Sequence, residues 1–227
     1  FSFNFRWRWN NVVAARAVEH RKTPILGIHL GELGFLAKIT TDVMFDRLDM
    51  VADANYEIQK RMVLKGQIIN KEESSTFYAL NDFVIDRGKS HRLITLTLKA
   101  NDRYIADYKA DGLIIGTPTG STAYALSAGG PIIMPKLKAM VVVPISPHTL
   151  NLRPIVLPDD RILEISFPND GNDGVAFAID GQVNQYLDQN SKIVIKKAPY
   201  DIYMIDYKDY NYFDNLQRKM GWGKRGD

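Results

Sequence analysis

The spacing of apolar and polar positions changes character partway along the chain. From Val12 to His20 apolar residues recur at helical spacing, and Lys22-Thr23-Pro24 ends the run. Ile25 to Leu30 (ILGIHL) reads as a short buried strand, and the GELGF that follows reads as a glycine turn. Asp42 to Ala54 is helical again, with Val43, Phe45, Leu48 and Val51 predicted to face inward. This order, helix, strand, turn, helix, is a piece of an α/β layer. Beyond it the period shortens to two. YEIQKRMVLKGQII, STFYALNDFVID, RLITLTLKANDRYIADYKADGLIIGTP and RILEISF are β-rich runs divided by Gly, Asn and Asp turns. Leu93 to Asp102 alternates cleanly, which predicts a mostly antiparallel sheet. STAYALSAGG interrupts the strands as a short helix with a serine start and a glycine stop. The aromatic tail after Pro199 is predicted to pack back on the body.

Composition narrows the classes. The chain has 227 residues, 45% hydrophobic and 24% charged, enough for one large or two modest domains with a real core. A net charge of +3 gives no argument for a nucleic-acid partner, though it suits local handling of phosphates. The absence of cysteine removes disulfides and thiolate metal sites and is compatible with a cytoplasmic location. No apolar run approaches the roughly 20 residues of a membrane span, so no membrane partner is predicted. The opening, FSFNFRWRWNN, carries neither an initiator Met nor a signal-peptide pattern and is expected to be a truncated or damaged N-terminus.

The stretch with the most chemistry is DGLIIGTPTGSTAYALSAGGPI, Asp111 to Ile132. An acid and a glycine precede a buried strand. A glycine- and hydroxyl-rich loop follows, Gly116 to Thr122, and then a helix start. Backbone N–H groups at such a turn suit phosphate or ribose oxygens, and the hydroxyls add adaptable donors. The plainer reading is a serine/threonine turn capping a helix.

That stretch resembles the central motif of the NAD kinases, which phosphorylate the 2′-hydroxyl of the adenosine ribose of NAD. ILGIHLGELGFLAKI resembles the family's strand and glycine turn, with His29 where the family usually has Asn. ALNDFVIDRG resembles its Asn-Glu motif, here Asn81-Asp82; PHTLNLRPIVLP, AIDGQ and KDYNYFDNLQRKMGW match in order. The resemblance implies that Asn81 and Asp82 hold the adenine-ribose side of NAD, with Asp82 a shorter acid than usual. It implies that Asp111 accepts from the nicotinamide carboxamide, and that Arg92 and Lys109 are dinucleotide contacts. Thr122, Ala123, Tyr124 and Ser127 would line the pocket, Tyr124 offering a face for stacking, and Gln182 would reach in from a neighbouring strand or subunit. Taken singly, these residues also read as an Asx turn, solvated charges, core packing and a hairpin-turn residue. His29 and His148 are read as structural.

The fold so implied is α/β plus β. Residues 1–47 are the remnant of a doubly wound α/β domain, 48–199 a mostly antiparallel β domain that binds NAD, and 200–227 a tail returning to the first domain. The site is expected in the cleft between the domains. The implied reaction is phosphoryl transfer from ATP, or polyphosphate, to NAD, with Mg²⁺ or another divalent metal and a homo-oligomeric assembly.

One family motif is missing. Gly-Gly-Asp-Gly, whose Asp is taken as the base for the ribose hydroxyl, should fall on Arg6, Trp7, Arg8 and Trp9. Trp cannot replace a glycine where the backbone must approach a ligand, and a guanidinium cannot accept a proton. Arg-Trp-Arg-Trp-Asn can be encoded CGG-TGG-CGA-TGG-AAY, and a shift of one base reads GGT-GGC-GAT-GGA, Gly-Gly-Asp-Gly. A frameshift or sequencing error is therefore expected to disguise the loop, leaving no catalytic residue in the chain as written; the plainer alternative is a divergent N-terminus with no function. Two other readings stay open: a non-catalytic dinucleotide-binding pseudokinase or NAD(H) sensor, and a lipid kinase, since diacylglycerol kinases share a Gly-Gly-Asp-Gly loop. TPTGSTAY with NDFVI favours NAD over lipid.

Overall fold

A computed structural model describes residues 10–29, 34–70, 73–167, 175–187, 191–221 and 223. The chain divides into two units, Phe1–Lys60 with Ile202–Asp227, and Arg61–Asp201. In chain order the strands are β1 (Glu57–Ile69), β2 (Ser74–Ala79), β3 (Asp82–Asp86), β4 (Ile94–Ala100), β5 (Arg103–Ala110) and β6 (Gly112–Gly116). They continue with β7 (Ala139–Ile145), β8 (Ile155–Pro158), β9 (Leu163–Ser166), β10 (Val175–Ile179), β11 (Val183–Leu187) and β12 (Lys192–Asp206). The helices are α1 (Asn10–Val18), α2 (Met44–Ala52), α3 (Tyr124–Ser127) and α4 (Tyr212–Met220).

The strands form two six-stranded sheets, in the orders β2-β1-β12-β9-β4-β5 and β11-β10-β3-β6-β7-β8. Within Arg61–Asp201 their inner faces share one core. Ile94, Leu96 and Leu98 of β4 and Ile193 and Ile195 of β12 meet Phe83 and Ile85 of β3, Leu113 and Ile115 of β6, and Phe177 of β10. Phe83 stacks on Phe177 with ring centroids 5.1 Å apart. Gly66 of β1 makes room for this stack, since a Cβ there would lie 2.9 Å from the Phe83 ring.

The two sheets differ in what covers their outer faces, and the sequence pattern follows. In β4 buried residues alternate with half-buried ones, as the alternation predicts. In β6 every residue is buried, because Ile114, with Val84, Val141 and Val143, packs a second cluster with Ala125 and Ile133 on the far side of its sheet. A strand covered on both faces reads as a continuous apolar run, which is what LIIG is. The segment supplying that cover contains the predicted short helix, reduced to a turn of 3-10 helix over Gly120–Thr122 and the four residues of α3.

The other unit is built from both ends of its chain segments. The predicted strand Ile25–Leu30 is reduced to two isolated parallel bridges, Ile25 with Met204 and Ile28 with Ile39. Leu30 itself lies outside the described residues. The bridge to Met204 is doubled by Ile25 N–H donating to the Tyr203 carbonyl and Ile205 N–H to the Ile25 carbonyl. The described part of the aromatic tail forms the end of β12 and, from Tyr212 to Met220, α4. Asn211 caps α4 by accepting from Phe213 N–H at 3.0 Å, Gly221 ends it at φ 64°, and Leu216 is fully buried.

α2 departs from the expected pattern. None of its residues is fully buried, and Phe45, predicted inward, is 70% exposed. The helix is held instead through Arg47. Its guanidinium donates to both Asp209 carboxylate oxygens, at 3.2 and 2.6 Å, and lies 4.6 Å from the Tyr207 ring centroid. The Tyr207 hydroxyl in turn donates to the Arg47 carbonyl at 3.0 Å. Nearby, Lys38 pairs with the buried Asp206 at 2.7 Å and lies over the Tyr210 ring, and Gln59 donates to the same carboxylate. These charges line a cavity of about 360 Å³ that contains none of the residues predicted to bind NAD.

Candidate functional site

The candidate residues gather at the two ends of one strand. β3 and β6 pair antiparallel with Asp82 opposite Gly116 and Asp86 opposite Gly112. Asn81 and Asp82 thus lie beside the glycine-hydroxyl loop, whereas Asp111 sits at the far end of β6. Five residues of strand put those ends roughly 17 Å apart.

At the first end the loop is locked onto the Leu80–Asp82 segment. Thr117 N–H donates to the Asn81 carbonyl at 2.8 Å, and the Thr117 hydroxyl donates to the Leu80 carbonyl at 2.6 Å. Gly120 passes so close that a Cβ would stand 2.1 Å from the Asn81 carbonyl oxygen. Asp180, at the β10–β11 hairpin, closes the opposite side. Its carboxylate accepts from the amides of Leu80, Asn81 and Asp82 at 3.1, 2.7 and 3.1 Å. Gln182 belongs to the same hairpin, its N–H donating to the Ile179 carbonyl at 2.9 Å. The hairpin-turn reading of Gln182 is therefore correct, and the turn also carries it to the Asn81 end of the sheet.

Asp82 is itself buried, 3% exposed, with its carboxyl close to that of Asp180. Burial, and secondarily the charge of Asp180, push its pKa up to about 7. A shorter acid than the family's Glu is thus held in an apolar setting where its neutral form persists toward neutral pH.

Several of the loop's hydroxyls and amides are engaged within the fold. The Ser121 hydroxyl donates to the Pro118 carbonyl at 2.7 Å and accepts from Ile133 N–H at 3.0 Å, and the Thr122 hydroxyl donates to the Thr119 carbonyl at 3.3 Å. The amides of Gly120, Ser121 and Ala123 donate to Thr117 Oγ1, the Thr117 carbonyl and the Gly120 carbonyl. These groups help to hold the loop's own shape. The segment also presents side chains: Thr122 and Ala123 are half-buried, Ser127 is exposed, and Tyr124 is 47% exposed.

At the second end Asp111 is half-buried and paired with Arg87, whose Nε lies 3.0 Å from Oδ1. Arg87 N–H also donates to the Asp111 carbonyl at 3.1 Å, and its guanidinium donates to the Ser90 carbonyl at 3.2 Å. Lys109 is exposed on β5 opposite Thr95, with its carbonyl accepting from His148 N–H at 2.9 Å. Arg92 is exposed, its N–H donating to the Ser90 hydroxyl at 3.1 Å. Arg87, Thr117 and Asp180 are the residues that sequence reasoning passed over. The Asp-Gly pair at 180–181 is a hairpin signal, but nothing in it announces a partner about a hundred residues earlier. Arg6 to Trp9, where the missing motif was aligned, lie outside the described residues.

Among the described residues no group of three or more His, Cys, Asp or Glu side chains could hold a metal ion. No described helix is long and apolar enough to cross a membrane.

The sequence model of a family described as the ATP-NAD kinase C-terminal domain matches residues 80–207. That span includes every candidate contact named above. The chain is 39% identical over 211 residues to an NAD kinase of Gemmatimonas aurantiaca, covering 92% of this chain and 73% of that protein. It is 42% identical over 213 residues to an NAD kinase of Azotobacter vinelandii, covering 93% and 72%. Among solved structures it is similar to yeast NADH kinase complexed with NADH, with a TM-score of 0.85 and 28% identity over 92% of this chain and 62% of that one. It is also similar to an NAD kinase from Archaeoglobus fulgidus in complex with ATP, with a TM-score of 0.70, 25% identity, and coverage of 85% and 72%.

Proposed function

This chain belongs to the NAD kinase family, and from that membership we propose that it serves phosphoryl transfer from ATP to the 2′-hydroxyl of the adenosine ribose of NAD, giving NADP. The observation that carries the reading is the locked turn at Leu80–Asp82. It holds Asn81 and Asp82 against the loop that presents Thr122, Ala123, Tyr124 and Ser127, all inside the span matched by the family. Phosphoryl transfer depends on positioning and charge neutralisation more than on covalent chemistry. Asn81 offers a donor and an acceptor to ribose hydroxyls, and Tyr124 an exposed ring face. Asp111, steadied by Arg87, accepts from the carboxamide, and Lys109 and Arg92 supply positive charge nearby. Gln182 completes the Asn81 end from the adjoining hairpin. ATP is the proposed donor, with polyphosphate as the alternative.

A divalent cation such as Mg²⁺ would be carried by the donor's phosphates, as is usual where Mg²⁺ serves a nucleotide. We place the protein in the cytoplasm as a homo-oligomer. Light scattering after gel filtration should give a mass of at least twice the 25.7 kDa chain. A monomer would remove that part of the proposal.

The chain as written is proposed to bind NAD and turn it over poorly, because Arg8 stands where a carboxylate is required. The test is NADP formation from NAD, ATP and Mg²⁺ by this chain and by a variant carrying R6G, W7G, R8D and W9G behind a complete upstream strand and domain. The restored variant should be faster by about 10²–10⁴-fold, the usual contribution of a general base. Strong turnover by the unaltered chain would refute the role given to the missing Asp. A restored variant that binds NAD without turnover would favour the sensor reading, to which the Arg-Trp-Arg-Trp segment lends its support.

A further inference from the structure

Asp180 does more than turn a hairpin. Its backbone is left-handed, φ 49°, which few residues other than Gly, Asn and Asp adopt readily, and Gly181 follows at φ 66°. This turn aims the side chain away from its own hairpin and toward the start of β3. There the carboxylate receives three consecutive amides, Asn81 and Asp82 on Oδ1 and Leu80 on Oδ2. The Asp180 amide returns a bond to the Asp82 carbonyl at 2.9 Å. The residue is buried, so water does not compete for these donors.

The opposite side of the same segment is closed by Thr117, on the carbonyls of Leu80 and Asn81, and by the backbone of Gly120. Both peptide groups flanking Asn81 are therefore fixed, the N–H by Asp180 and the carbonyl by Thr117. Only the half-exposed side chain of Asn81 retains freedom. Thr117 reaches two carbonyls, but only Asp180 sets three successive N–H directions, so the orientation of the segment follows from the carboxylate.

We propose that Asp180 is a positioning residue for the acceptor dinucleotide, fixing the Leu80–Asp82 backbone so that the Asn81 side chain is aimed at the nucleoside hydroxyls. This rests on the reading of Asn81 as an NAD contact. The test is calorimetric titration of the full chain with NAD, comparing wild type, Asp180→Asn, Asn81→Ala and the double variant. Asparagine keeps the size of the side chain but turns an NH₂ toward amide donors, so at least one of the three bonds is lost. Asp180→Asn should weaken NAD binding about tenfold, the effect of losing a hydrogen bond to a charged group. In the Asn81→Ala background the same change should cost less than twofold. A role confined to stability would instead give the same loss in both backgrounds, and that result would overturn the proposal. So would unchanged NAD affinity in Asp180→Asn.

Amide hydrogen exchange in the wild-type chain gives a second reading that needs no variant to fold. The amides of residues 80–82 should be protected well beyond those of the exposed loops, and fast exchange there would overturn the clamp. Failure of the wild-type chain to bind NAD at all, with these amides protected, would refute the function assigned above and the positioning role with it. Wild-type binding matched by Asp180→Asn would refute the positioning role alone.

Discussion

Asp82 carries its carboxyl group in a place where ionisation is unfavourable, and this has a measurable consequence. Its folded-state pKa is near 7 because of burial and the charge of Asp180, whereas an exposed Asp titrates near 4. Between those values the folded protein holds a proton that the unfolded chain has released. Stability from this group is therefore fully present below about pH 4 and declines as pH rises toward 7, with no further loss above it. Urea midpoints measured from pH 5 to pH 8 should fall across this window in the wild type, and Asp82→Asn should remove that part of the slope. An equal slope in both proteins would mean that Asp82 is ionised throughout. A second residue-scale prediction concerns Gly120, which has no room for a methyl group against the Asn81 carbonyl. Gly120→Ala should destabilise the protein by about 1–3 kcal/mol, as overpacking does, and should weaken NAD binding by displacing the Asn81 segment. Unchanged thermal stability and binding would show that the loop can retreat freely. Neither effect was legible in the sequence. TPTGSTAY announces a special loop, but only the fold reveals that its glycine faces a backbone and that the Thr117 and Ser121 hydroxyls tie it to Leu80 and Ile133.

Elements were legible to the extent that their own neighbours decide them. The alternation of β4 and the apolar run of β6 both state how many faces are covered, and both are correct. The stripe on α2 misleads because Arg47 supplies its anchorage, through an acid and a tyrosine about 160 positions later in the chain. Ile25–Leu30 likewise looks like a strand, yet its described partners touch it at single residues. The tail was readable as a whole, since so much apolar and aromatic surface needs a partner, but not its division into the end of β12 and α4. Within α4 Asn215 and Leu216 are both buried, Asn215 donating to the Gly34 carbonyl at 3.3 Å and Leu216 supplying the buried apolar side chain. Leu216→Ala should cost about 2–5 kcal/mol, the range for emptying a buried leucine site. Thermal unfolding followed by circular dichroism would check it. A loss below 0.5 kcal/mol would show that α4 is only loosely held.

For the whole molecule, the class of fold and the family were readable from long ordered strings, and the pairings across the chain were not. The candidate contacts occupy opposite ends of β6, a separation that no motif reveals, and the residues that hold them come from segments distant in sequence. The same discontinuity shapes the unit made of Phe1–Lys60 and Ile202–Asp227. Its two halves are synthesised at different times, with all of Arg61–Asp201 translated between them. Domains usually fold as they emerge from the ribosome, but here the bridge from Ile25 to Met204 and the pairs Lys38–Asp206 and Arg47–Asp209 form only after β12 and the residues just beyond it have been made. A nascent chain stalled before β12 would thus lack those contacts, and proteolysis near Lys38 and Arg47 should be faster in it than in the full chain. The arrival of β12 and the residues beyond it then supplies the bridge to Ile25 and the pairs to Lys38 and Arg47 together.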